Sequence, residues 1–137
     1  MGNRAVLTFA TAKSAPCIYL HWNGGRASVE AFLLAARHLN LMAPMQGMGD
    51  GTRFDTQARV LDAIAAMVRD DFGMSSVYRE TYGSTDTDNW DNGVYLLDDS
   101  LDIVGRKFMR HDEELNDEKT QAIYTQIINT HHARETA

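Results

Sequence analysis

Residues 17–33 read "CIYLHWNGGRASVEAFL", and their hydrophobic period changes in the middle of the stretch. Over 17–22, Ile18, Leu20 and Trp22 alternate with Cys17, Tyr19 and His21, the two-residue period of a β-strand. After Gly25, the positions Val29, Phe32, Leu33, Ala36 and Leu39 recur at three- and four-residue spacing, which gives one apolar helical face with Ser28 as its predicted N-cap. Asn23, Gly24 and Gly25 lie at the change, and Asn and Gly tolerate left-handed backbone, so the strand can turn sharply into the helix.

Working outward, "AVLTFAT" at 5–11 is β-branched and aromatic and predicts a strand before this one, joined to it through the turn "AKSAP", where Pro16 cannot extend a central strand. "LMAPMQGMGDGTRF" at 41–54 has no period and reads as a long mobile connection. A second helix follows, capped by Asp55 or Thr56, striped by Val60, Leu61, Ile64, Met67 and Val68, and stopped at Gly73. "SVYRETY" at 76–82 alternates as a strand, and "GVYLLDD" and "DIVGRKFM" predict a hairpin with a bulge at Gly105. Asn116 predicts the cap of a last helix, with Asp117 and Glu118 complementing its dipole and Ile123, Tyr124, Ile127 and Ile128 facing inward; it is expected to fray into "HHARETA". The order β-β-α-α-β-β-β-α predicts an α+β fold, an antiparallel sheet of about five strands with helices packed on one face.

Length and composition bound the rest. A chain of 137 residues is expected to form a single domain, 1–137, and 44% apolar with 23% charged residues is ordinary globular composition. One cysteine, Cys17, excludes an internal disulfide and fits a reducing compartment. With no apolar stretch of signal-peptide or membrane-span length, the expectation is cytoplasmic, with no membrane partner. The net charge of −6 argues against direct nucleic acid binding, because phosphate contacts need a concentrated basic surface. The basic cluster "GRKFMR" at 105–110 reads as a strand with a solvated face. No cofactor is expected.

Two stretches carry candidate chemistry. At 23–26 the backbone N–H groups of Gly24, Gly25 and Arg26, with the Arg26 side chain, Asn23 and His21 alongside, are candidates to hold an anion, although the spacing is that of neither nucleotide-binding loop. The competing explanation is a purely structural turn. At 84–93, "STDTDNWDNG" offers Asp86, Asp88 and Asp91, with Asn89 and Asn92, as hard oxygen ligands for calcium or magnesium, but with Gly93 at the sixth loop position Trp90 falls at the third, where a ligand belongs, so turn chemistry is the stronger explanation. Trp90 either tucks onto the core or anchors a contact, since tryptophan is enriched at interface hot spots. Met42, Met45 and Met48 either form an adaptable partner-binding patch or fold back over the core. Catalytic pairs are absent locally: Cys17 and His21 lie about 13 Å apart by strand rise, and His38, His131 and His132 fall at helix C-terminal ends, where a cationic ring complements the dipole. "HDEEL" at 111–115 reads as a solvated connector.

"YLHWNGG" at 19–25 and "DNGVY" at 91–95, with "MGNRAV" at the N-terminus, resemble a group of small proteins carried by phages and by conjugative or other mobile genetic elements. The resemblance implies an accessory factor that acts by occupying a protein surface, of the kind that blocks host restriction or CRISPR systems. Three functions follow as expectations. The first is a non-enzymatic protein that binds an unidentified protein partner around Trp90 and the 41–54 loop, with a homodimer as an arrangement it allows. The second is a small enzyme or ligand-binding domain for an anionic or phosphorylated substrate held at Asn23–Arg26, with His21 or Asp91 in acid–base roles. The third is a calcium-responsive module on 86–92.

Overall fold

A computed structural model describes residues 3–46, 53–110 and 115–136. Strand β1 (Ala5–Thr8) is short, apolar and buried on both faces, and β2 (Pro16–Leu20) runs antiparallel to it in the register Ala5↔Leu20 to Thr8↔Cys17. Pro16 is tolerated because it is the first residue of its strand, where a missing donor costs least; its carbonyl accepts a hydrogen bond from Thr8 Oγ1 at 3.0 Å. The strand stops at Leu20, so His21 and Trp22 belong to the bend that follows.

Helix α1 (Arg26–His38) begins two residues before the predicted cap. Gly25, in extended backbone, takes the N-cap position and its carbonyl accepts from Val29 N at 3.0 Å; Ser28 is buried within the first turn, its hydroxyl without a hydrogen-bond partner. A short 3₁₀ turn (Ala43–Met45) follows, and Met45 is buried in the core, so this part of the expected mobile connection is folded; residues 47–52, Met48 among them, lie outside the described residues. Helix α2 (Arg53–Met67) encloses Asp55 and Thr56 in its first turn rather than using them as caps. It runs on into a π-turn (Val68–Phe72) that ends at Gly73 with φ 82°, the left-handed stop expected there.

Strand β3 (Val77–Thr81) pairs antiparallel with β2, and β4 (Val94–Leu97) pairs antiparallel with β5 (Ile103–Lys107), with a register shift opposite Leu96 and Leu97 that makes the bulge expected beside Gly105. The sheet order is β3-β2-β1-β4-β5. The sheet is mostly antiparallel, but β1 and β4 are parallel, in the register Val6↔Val94 to Thr8↔Leu96. That pair arises because the chain leaves β3 at one edge, crosses the sheet through 82–93 and enters the middle running in the direction of β1. Helix α3 (Asp117–Glu135) is capped as predicted, Asn116 Oδ1 accepting from Lys119 N at 3.0 Å.

Alternation along the strands sorts the two faces. Ala5, Leu7, Ile18, Leu20, Val77, Tyr95 and Leu97 join Phe32, Leu33, Leu61, Ile64 and Ile127 in one core beneath the helices. Each large side chain buried there contributes about 1.5–3 kcal/mol. On the opposite face Val6, Cys17 and Val94 form a second, smaller cluster edged by Tyr19, Tyr82 and Leu96. The C-terminal "HHARE" does not fray. His131 Nδ1 lies 2.9 Å from Asp71 Oδ2, and Arg134 donates to Asp71 Oδ1 at 2.8 Å, so a buried carboxylate of the π-turn fastens the end of α3. Among the described residues no helix is long and apolar enough to cross a membrane.

Candidate functional site

The pairing registers bring the segment before β1, the end of β2, the segment before β4 and the end of β5 to one end of the sheet. Three stretches remote in sequence therefore meet there. Gly24 N donates to Asn3 O at 2.7 Å, Tyr95 Oη donates to Gly24 O at 2.7 Å, and Asn92 Nδ2 donates to Asn3 Oδ1 at 2.7 Å. Arg4 sits between them, with its backbone N and its Nε both donating to Asp91 Oδ2, at 3.1 and 2.8 Å. The buried Asp91 carboxylate strengthens the hold of the Arg4 guanidinium on its proton, raising its pKa, the hydrogen bond being the largest cause.

Close backbone approach explains two of the glycines. A Cβ on Gly24 would lie 2.6 Å from both Ala5 Cβ and Asn3 O, and a Cβ on Gly93 would lie 2.1 Å from Lys107 O in a backbone with φ 64°. The loop ahead of Gly93 is organised by Asn89, which is fully buried: its Oδ1 accepts from Asp91 N at 3.2 Å and Gly93 N at 3.0 Å, and its Nδ2 donates to Asp86 O at 3.0 Å. A buried amide that uses both its acceptor and its donors in this way is a rigid post.

Trp90 stands between two buried residues, Asn89 and Asp91, yet is itself 68% exposed and adopts φ 64°. Left-handed backbone is an outlier for a bulky side chain and persists where the surroundings impose it. The Arg110 guanidinium lies 4.4 Å from the Trp90 ring centre, and it is held there by Asp88, which accepts from Arg110 Nη2 at 2.8 Å. Trp90 thus does not tuck onto the core.

The other candidates are placed differently. Met45 is buried and Met42 packs against the core, so these two do not form an exposed apolar patch. Of the calcium candidates, Asp86 and Asp91 turn to Arg4 and Asp88 turns to Arg110, and among the described residues no three acidic, His or Cys side chains converge as metal ligands. Asn23 carries the left-handed φ of 58° that its turn requires, Gly24 and Gly25 are buried, and the Gly24 N–H is already bound. Arg26 pairs with Glu30 at 3.6 Å, while His21 is exposed and lies 3.0 Å from Tyr19 Oη through Nδ1. Neither lines the cavity of about 190 Å³ beside β3 or that of about 220 Å³ beside the Asp71 clasp. Burial pushes the Cys17 thiol up to about 11, so it stays neutral and unreactive at physiological pH.

Arg4, Arg110 and Asp71 were not singled out from the sequence, and Asn89 was read as a candidate metal ligand rather than as the brace of its loop. Among the described residues Asn89 bonds only to near neighbours, Asp86, Asp91 and Gly93, as an Asn in a turn does, whereas Arg4 and Arg110 reach carboxylates 87 and 22 residues away. Compared with family models, with curated proteins and with solved structures, the chain matches none of them.

Proposed function

We propose that the chain is a non-enzymatic accessory protein that works by binding another protein through the surface around Trp90. The observation that carries this reading is the strained display of the indole: a left-handed residue, 68% exposed, between two buried ones. Such strain costs on the order of 1–3 kcal/mol, and strained residues cluster where the geometry itself is used. Tryptophan and arginine dominate interface hot spots, and the stack with Arg110 fixes the ring before any partner arrives, which lowers the entropy lost on binding. The resemblance to small proteins of phages and mobile elements points to a host defence protein, of the CRISPR or restriction type, as the partner. An anion site at 23–26 has weaker support, because the Gly24 N–H is bound to Asn3 and both glycines are buried.

The test is affinity capture of the tagged protein from a bacterial lysate, with Trp90→Ala and Arg26→Ala run in parallel and mass spectrometry as the readout. A stoichiometric host protein retained by wild type and by Arg26→Ala, and lost with Trp90→Ala, is the expected result. A partner unaffected by Trp90→Ala, or a small anion lost only with Arg26→Ala, overturns it.

A further inference from the structure

We infer that the outer edge of β5 docks an extended, acidic segment of the partner protein, which pairs with the strand backbone and runs toward Trp90. This docking site extends the Trp90 surface proposed above and depends on it.

Among the described residues β5 ends the strand order and pairs with β4 alone, so on its other side alternate N–H and C=O groups face no strand of the sheet. Three exposed apolar side chains lie on this strand and its continuation, Val104 at 65%, Phe108 at 46% and Met109 at 42%, and Trp90, at 68%, stands on the neighbouring loop. Phe108, like Trp90, holds left-handed backbone, with φ 57°. Arg110, which stacks on Trp90, also donates its backbone N to Asp91 O at 3.0 Å, so the continuation of β5 is joined to the loop that carries the indole.

Charge selects the occupant. Between Ile103 and Arg110 there are three basic residues, Arg106, Lys107 and Arg110, and no acidic one, in a chain whose net charge is −6. Two copies paired edge to edge through β5 would set this basic run against itself, and like charges across a strand pair are destabilising. The same residues favour a strand that carries carboxylates, so one feature discourages self-association and recruits an acidic segment. Arg106 Nη2 already donates to Asn92 O at 2.8 Å and Arg110 is engaged by Asp88. Lys107 is exposed and among the described residues forms no ion pair, so it is the charge on which recognition turns.

The probe is a fluorescein-labelled peptide of alternating valine and glutamate, followed by fluorescence polarisation against the full chain. Its controls are the same peptide with lysine for glutamate, and the acidic peptide N-methylated at alternate residues so that one edge cannot pair. The acidic peptide is expected to bind, the basic one not, and N-methylation and Lys107→Glu each to weaken binding about tenfold or more. Circular dichroism of Lys107→Glu is expected to match wild type, since the side chain is exposed. Binding that ignores N-methylation, or that is equal for the two charges, overturns the inference. So does a dimer in sedimentation that excludes the peptide, which would make a second copy the occupant. If the peptide fails while capture of a partner through Trp90 persists, the edge is refuted and the Trp90 surface stands; if both fail, the interaction reading falls with it.

Discussion

Two segments set a tryptophan ahead of an Asn-Gly turn, Trp22-Asn23-Gly24-Gly25 and Trp90-Asp91-Asn92-Gly93, and the fold uses them in opposite ways. In the first the left-handed residue is Asn23, which tolerates φ 58° well, and the turn delivers the chain into α1 while Trp22 leans on His21. In the second the left-handed residues are Gly93 and Trp90 itself, and the strain falls on the tryptophan, which is 68% exposed against 48% for Trp22. The difference teaches that a turn whose strain falls on a tolerant residue is explained locally. One whose strain falls on tryptophan has to be imposed by its surroundings, here the buried Asn89 and the Arg4–Asp91 pair.

The contrast can be broken or sharpened by substitution. Gly93→Ala should have the largest effect, about 4 kcal/mol in chemical denaturation, because left-handed strain adds to a direct overlap with Lys107 O at 2.1 Å. Gly24→Ala should cost less, about 3 kcal/mol, since it overlaps Ala5 and Asn3 O but lacks the left-handed component. A Gly24→Ala cost above that of Gly93→Ala would break the comparison. Asn89→Ala should cost about 2 kcal/mol by leaving the N–H groups of Asp91 and Gly93 without their acceptor; an unchanged melting temperature would show that the loop is not braced by this residue.

Trp90→Gly sharpens the comparison from the other side. Relieving the left-handed strain should stabilise the fold by about 1 kcal/mol while abolishing partner capture, a separation of stability from function. A destabilised variant would mean that the indole packs after all. A separate effect, seen only at alkaline pH, lies beneath the crossing segment, where the Cys17 thiol interacts with Thr85. Its folded-state pKa, about 11, is raised from the ordinary 9.0, so folding favours the protonated thiol. The associated stability is complete below pH 9 and is lost as pH rises toward 11. The Tyr19 and Tyr82 phenols, also raised by burial, titrate in the same direction, so the Cys17 share is the difference between wild type and Cys17→Ala in thermal melts across that window, wild type falling more steeply.

Much of the fold was legible because it rests on local rules. The period change at 17–33, the Asn116 cap, the Gly73 stop and the bulge beside Gly105 each depend on residues within a turn or two of one another. The Ser28 cap was misplaced because Gly25 offers an extended N-cap first, and the C-terminal turn was expected to fray because its anchor, Asp71, lies 60 residues away from His131. At the candidate site, the turn at Asn23–Gly25 and the two alternatives for Trp90 were visible in the sequence, whereas the close approach of Gly24 to Asn3 and of Gly93 to Lys107 was not.

The sequence by itself determined the element order, the α+β class and which residues could turn the chain, because side-chain period and backbone tolerance are properties of short segments. Tertiary structure alone decided that β4 inserts beside β1, that "NRA", "NGG" and "DNG" meet at one end of the sheet, and that Trp90 faces water while Met45 does not. Those outcomes depend on contacts between residues far apart in the chain, and no local preference specifies which distant strand or carboxylate will fill a given place.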